Sequence, residues 1–420
     1  MSDSTRGIPR REFMKAAVAI GGSAALAACV DRGGMPDVPK GPSDLSTLPK
    51  RQHAWNQYLS TDDYGNFVAA RHKILLFLNY SGDGTPDESE RKTVEKSFRS
   101  LEHAYKRGND GLLFSIGYSP AYFERFGVDD VLPKPKALAS FESPKLDEQD
   151  AVMQIESDHA QIALAAEQAL LGNRDELNGV DVSGITDVFE KADRRTGFVG
   201  HGLPADNQDV NGIPDSKPVP EKAPLYMGFK SGFKKNQASE DSVTIQEGPF
   251  EGGTTKHVSH INLHLDQWYE QDSRDQRVGK MFCPVHAEQD KVKGVGNNLG
   301  DSSEMNDECI DNVKEHARTR GIVGHSQKSA RARKDDSPVI LRRDFDSTDG
   351  GQAGLHFVAI QQSIEDFNKT RTEMNGDDLS GNSSVGERLN NGILQYMTVT
   401  HRGNFLVPPR SLRSLPTANP

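Results

Sequence analysis

The sequence predicts an α+β fold in which one unit is built twice. Two observations carry this. Short apolar runs that read as buried strands alternate with segments whose apolar residues recur at helical spacing. The alternation occurs once before and once after a stretch at 202–224 rich in Pro, Asn, Asp and Gly, which reads as an irregular surface connection. At 420 residues the chain is long enough for one large or two medium domains with their own cores.

In the first half, H-K-I-L-L-F-L-N-Y (72–80) reads as a buried strand, followed by a G-D-G-T-P turn. The next segment places Val94, Phe98, Leu101 and Tyr105 on one helical face. G-L-L-F-S-I-G-Y (111–118) is a second strand, and Ser119 and Pro120 then cap and open a short helix. D-A-V-M-Q-I-E-S-D is a third strand that runs into an Ala-rich helix, and T-G-F-V-G-H-G closes the unit. This is the β-α-β, β-α-β order of a ferredoxin-like unit. In the second half T-K-H-V-S-H-I-N-L-H-L, P-V-I-L-R-R-D-F, G-L-H-F-V-A-I-Q and N-F-L-V-P-P read as strands, with S-I-E-D-F-N-K-T-R-T-E-M-N as a helix. The expected boundaries are 51–225 and 226–415.

The N-terminus stands apart. Arg10 and Arg11 precede E-F-M-K and a run of small apolar residues too short to span a bilayer, which resembles a Tat export signal over 1–29. The L-A-A-C ending resembles a lipobox, so Cys29 is the expected lipidation site. Residues 30–50, rich in Pro, Gly and Asp, are the expected flexible tether. Together they predict an extracytoplasmic protein held at the membrane by a lipid anchor. The net charge of -11 argues against nucleic-acid binding, which leaves a basic footprint.

Several stretches can carry chemistry. G-F-K-S-G-F-K-K-N (228–236) sets Ser231 between Gly228 and Gly232, which either turns a corner or lets a ligand approach the backbone. His257, His260 and His264 could share a face on a helix and bind metal, but Val258, Ile261, Leu263 and Leu265 favour a strand, which separates them. D-N-Q-D-V-N-G (206–212) has calcium-loop residues without the closing Glu. Cys283 and Cys309 either stay free or pair, closing a loop of ~25 residues worth ~3 kcal/mol. Finally, His325 precedes a basic run that ends in L-R-R-D-F. A histidine and an arginine so spaced can flank a planar cofactor, or be a surface histidine and two strand-end arginines.

The last stretch, with G-L-H-F-V-A-I-Q after it, resembles the C-terminal signature of the dye-decolorising peroxidases. G-L-L-F-S-I-G-Y-S-P-A-Y-F-E-R-F, D-A-V-M-Q-I-E-S-D-H, L-D-Q-W-Y-E-Q-D and N-F-L-V-P-P resemble further family segments in the family's order, across roughly residues 70–410. The resemblance implies two ferredoxin-like units of the dimeric α+β barrel type, with haem b in the second. It implies hydrogen peroxide as substrate and a reductant that the sequence does not name; a homo-oligomer is compatible with it. By the same resemblance His325 is the proximal haem ligand, and Arg342, rather than Arg343, the distal arginine. G-F-K-S-G matches the family's G-x-x-D-G turn, so Gly228 and Gly232 are kept while Ser231 replaces the distal aspartate. A serine hydroxyl is a poor proton shuttle near neutral pH, so water or another group must relay that proton. Phe233 stands where the family often has Thr, and Gln395 stands where an acid would orient the proximal histidine. The implied function is a haem peroxidase, with a non-catalytic haem-binding or electron-transfer protein, or a haem-free surface interaction protein, as alternatives.

Overall fold

A computed structural model describes residues 35–381 and 384–420. Arg10, Arg11 and Cys29, on which the export and lipidation expectations rest, lie outside the described residues.

The first half holds β1 (His72–Tyr80), α1 (Glu88–Ala104), β2 (Leu113–Tyr118), α2 (Pro120–Glu124), β3 (Ala151–Ser157), α3 (Ala160–Leu170) and β4 (Phe189–Phe198). Local chemistry sets the helix starts. Asp87 and Glu90 form a reciprocal capping box on α1, and the Ser119 hydroxyl accepts from Tyr122 N–H ahead of Pro120. The second half holds β5 (Thr254–Leu263), α4 (Arg274–Met281), α5 (His325–Ser329), β6 (Leu341–Arg342), β7 (Phe345–Ser347), β8 (Gly354–Gln361), α6 (Ile364–Asn375) and β9 (Met397–Val407).

The strands run β4-β1-β3-β2 in the first half and β7-β8-β5-β9 in the second, the same order in two antiparallel sheets. β7 meets β4 at Asp346 and Phe198, and β9 meets β2 at Leu406 and Tyr118, which closes the two sheets into one ring. The expected duplicate α+β fold is therefore present, as a barrel.

Strand alternation sorts side chains between two sides. Leu75, Phe77, Val152, Val258, Phe345, Val358 and Phe405 cluster inside the ring. Polar groups there are paired: Lys73 with Glu156 at 3.0 Å, Arg195 with Asp147 at 2.6 Å, and Lys256 donating to Ser115 at 3.0 Å. On the outer face of the first sheet, Ile74, Leu76, Ile116 and Met153 pack under Phe98 and Leu101 of α1 and Ile162 of α3.

Three sequence expectations change. The end of the expected tether is docked: Val38 joins the first core, Leu45 is buried, and Gly41 N–H donates to His103 C=O at 3.0 Å. The approach is so close that a β-carbon on Gly41 would lie 1.7 Å from the Glu102 carbonyl oxygen. The 202–224 connection is not purely a surface loop, because Leu203, Ile213, Val219 and Ala223 sit in the second core. The chain beyond β9 returns to the first half, where Leu415 and Ala418 enter its core and Arg413 pairs with Glu102. A 226–415 unit thus ends on its neighbour.

Candidate functional site

The outer face of the second sheet is covered differently from the first. Ile261 and Leu263 of β5, Leu355 and Phe357 of β8, and Met397 of β9 form the floor of a cavity. Thr370 and Met374 of α6 and the α5 segment supply the facing wall, and Met227, Phe229, Phe233, Met281 and Phe282 close its sides. The lining is mostly apolar, as in small-molecule and cofactor sites.

His325 opens α5 and lines this cavity. Its backbone is fixed from two sides. Gly324 lies so close that a β-carbon there would be 1.8 Å from the Phe282 carbonyl oxygen, and Gln327 N–H donates to that oxygen at 3.2 Å. Gly392, with φ of 63°, lies against the His325 backbone from the other side. Burial, with Lys328, Arg342 and Arg371 nearby, pushes the His325 imidazole down to about 3, so the ring is neutral near pH 7. Neither ring nitrogen has a hydrogen-bond partner among the described residues, and the side chain lines the cavity.

The strand wall carries the charge. Arg342, Asp344 and Asp346 alternate along β6–β7 and line the cavity, while Phe345 enters the ring interior. Arg343, the other half of the arginine pair, is buried elsewhere. It stacks 4.1 Å over Trp55, donates to His53 C=O at 2.8 Å and pairs with Glu240 at 3.1 Å. Gln237 holds the Arg342 main chain in both directions, at 3.0 and 3.2 Å. The Arg342 guanidinium itself has no partner among the described residues. Asp346 accepts from Tyr226 N–H at 2.6 Å, and burial pushes its carboxyl well above the usual carboxylate range.

Ser231 lines the same cavity. Gly228 and Gly232 adopt φ of 83° and 75°, conformations that favour glycine, and a β-carbon on Gly228 would meet the Tyr269 hydroxyl at 2.8 Å. The 228–232 stretch therefore both turns the chain and brings backbone up to the cavity. Ser231, His325 and Arg342 share one space. At its rim stand Asn236, Ser303 and Arg333, whose guanidinium donates, among the described residues, to the Asp336 C=O and the Asn236 side chain.

Cys283 and Cys309 are joined by a disulfide. Gln327 on α5 donates its side-chain amide to Cys309 C=O, so the bridge underpins the His325 shelf. Gln395 is not among the residues lining the cavity; its side-chain oxygen Oε1 accepts from Asn390 N–H at 3.0 Å. His257 and His260 sit on β5, as the apolar pattern favoured. His257 stacks on Phe367, and His260 stacks on His356 at 4.6 Å. Among the described residues no cluster of His, Cys, Asp and Glu could hold a metal ion, and in the 206–212 stretch Asp209 pairs with Lys217. The sequence reading passed over Asp344 and Asp346. Period-two alternation from Arg342 was the signal that could have found them.

The residues present fit haem: a neutral, unpartnered imidazole, an unpaired arginine and an apolar slot occur in one cavity. No curated protein matches the sequence. Solved structures do match the fold. A dye-decolorising peroxidase from Bacteroides thetaiotaomicron aligns with a TM-score of 0.53 at 16% identity, over 86% of this chain and 98% of that one. A DyP-type peroxidase from Cellulomonas bogoriensis aligns at 0.52 and 15%, over 89% and 94%. A Rhodococcus jostii DypB variant in complex with haem aligns at 0.50 and 13%, over 87% and 99%. At such identities the likeness is one of fold, and this chain has the Dyp-type peroxidase fold. In sequence, residues 70–409 match the model of another grouping, and the chain belongs to that family, described as "Family of unknown function (DUF7405)".

Proposed function

We propose that the protein is a haem peroxidase that reduces hydrogen peroxide with an external electron donor. The observation that carries this reading is the placement of His325 and Arg342 in one apolar cavity on this fold. Bound haem would supply a redox-active iron for cleavage of the O–O bond. His325 would hold that iron through its neutral imidazole. Arg342, unpaired and fixed by Gln237, stabilises the negative charge that develops on the departing oxygen. Ile261, Leu263, Phe357 and Met397 exclude water from the slot, and Arg333 at the rim suits the cofactor's carboxylates. We propose further that the chain is exported through its twin-arginine segment and anchored at Cys29.

Haem carriage or electron transfer without turnover is the second reading, and the hydroxyl at Ser231 is what favours it. Hydrogen peroxide consumption by the haem-loaded protein with a one-electron dye donor separates the two. The peroxidase reading expects dye oxidation that depends on peroxide and is lost in Arg342→Ala. A Soret band with no peroxide consumption would establish the carrier reading instead.

A further inference from the structure

The Ser231 hydroxyl leaves the proton transfer of peroxide cleavage without a carboxylate at that position. The cavity has one elsewhere. Asp344 lies two residues beyond Arg342 on the same strand face and lines the same space as Ser231 and His325. Its neighbours in the chain are engaged: Arg343 with Glu240, and Phe345 in the ring interior. Asp346, the next carboxyl on this face, is committed to Tyr226 N–H. The Asp344 carboxylate has no hydrogen-bond or ion-pair partner among the described residues. A half-buried carboxylate left unpaired beside an unpaired arginine, in a mostly apolar cavity, needs a reason.

We propose that Asp344 is the acid–base residue of this site, moving the proton that Ser231 cannot. The inference rests on the haem peroxidase reading. The Asp344 carboxylate takes a proton from one oxygen of hydrogen peroxide and returns it to the other. As the O–O bond breaks, the second oxygen keeps the bonding pair and leaves as water. The remaining oxygen becomes a second water with two protons and two electrons, the electrons coming from the one-electron donor of the proposed reaction. Arg342 offsets the charge on the departing oxygen while Asp344 carries the proton. Asp346, the next carboxyl on this face, is pushed well above the usual carboxylate range by burial and accepts from Tyr226 N–H.

The test compares wild type, Asp344→Asn and Asp344→Ala, each loaded with haem and checked for a stoichiometric Soret band. Two rates are read by rapid mixing: peroxide cleavage, and association of cyanide, which binds as the anion and must shed its proton to a nearby base. General acid–base assistance is worth ~10²–10⁴-fold, so peroxide cleavage should fall about 10²-fold or more in both variants. Cyanide association should fall about tenfold by the same loss of a base. Ser231→Asp added to Asp344→Asn should recover at least part of the lost rate. If either variant binds haem and both rates stay within twofold of wild type, Asp344 is not the relay, while the haem reading stands. If wild type shows no Soret band, the haem reading falls and this proposal with it.

Discussion

The two halves share a strand order and differ in what covers the sheet. Over the first sheet, α1 and α3 press Phe98, Leu101 and Ile162 onto Leu76, Ile116 and Met153, with Phe98 and Phe114 rings 5.8 Å apart. Over the second, α6 and the short α5 stand off, and methionine and phenylalanine side chains line a space rather than fill it. The same frame thus gives a packed core once and a site once. Where the helix layer is complete there is room only for side chains; where it is broken by loops there is room for a ligand and for the polar residues that handle it.

Substitutions of like kind in the two halves should behave differently. Phe98→Ala, in the filled half, should cost about 3–5 kcal/mol in chemical denaturation. Phe357→Ala, on the cavity floor, should cost less than half of that, because the site already holds space. Equal losses would mean that the second sheet is packed as tightly as the first. The arginine pair gives the next effect. Arg342→Ala should slow peroxide cleavage by about 10²–10³-fold with little change in the melting temperature. Arg343→Ala should instead lower stability, because it removes both the cation paired with Glu240 and the group stacked on Trp55.

The disulfide belongs to the second half and supports the site there. Cys283→Ser should destabilise the chain by about 3 kcal/mol on the chain-entropy estimate, and haem affinity should drop with it because α5 is tied to Cys309. A variant with lowered stability but unaltered haem affinity would separate the bridge from the site. A pH dependence is shared by the two halves, and in the first it comes from two buried histidines. Burial pushes the imidazoles of His53 and His72 down to about 3. The unfolded chain therefore binds more protons than the folded one between about pH 6.5 and pH 3. Stability should fall as pH drops through that window, by roughly 1 kcal/mol per imidazole per pH unit. His72→Asn should flatten the fall in a melting series from pH 7 to pH 4.

The frame was legible because its strands are apolar runs with clear turns: β1, β3 and α1 begin within a residue or two of where patterning puts them. β4 and β9 were read short. Their first residues, F-E-K-A-D-R-R and M-T-V-T-H-R, include charged groups held in buried ion pairs, as Arg195 is with Asp147 and Arg402 with Glu142. A buried ion pair is invisible to a hydrophobic pattern. The docking of Val38 and the return of Leu415 were hidden for a related reason: single apolar residues in Pro-rich chain carry no period. At the site, resemblance supplied His325, Arg342 and Ser231. It offered no reason to look at Asp344, which becomes visible only when alternation along one strand places it in the cavity with Arg342.

In the proposed function, the gap over the second sheet holds haem on His325. Titration of the haem-free protein with haem, followed at the Soret band, tests it directly. Wild type should saturate stoichiometrically, and His325→Ala should show no saturable Soret component while keeping the wild-type circular dichroism spectrum. A His325→Ala variant with the same band and stoichiometry, or a wild type without one, would contradict the account.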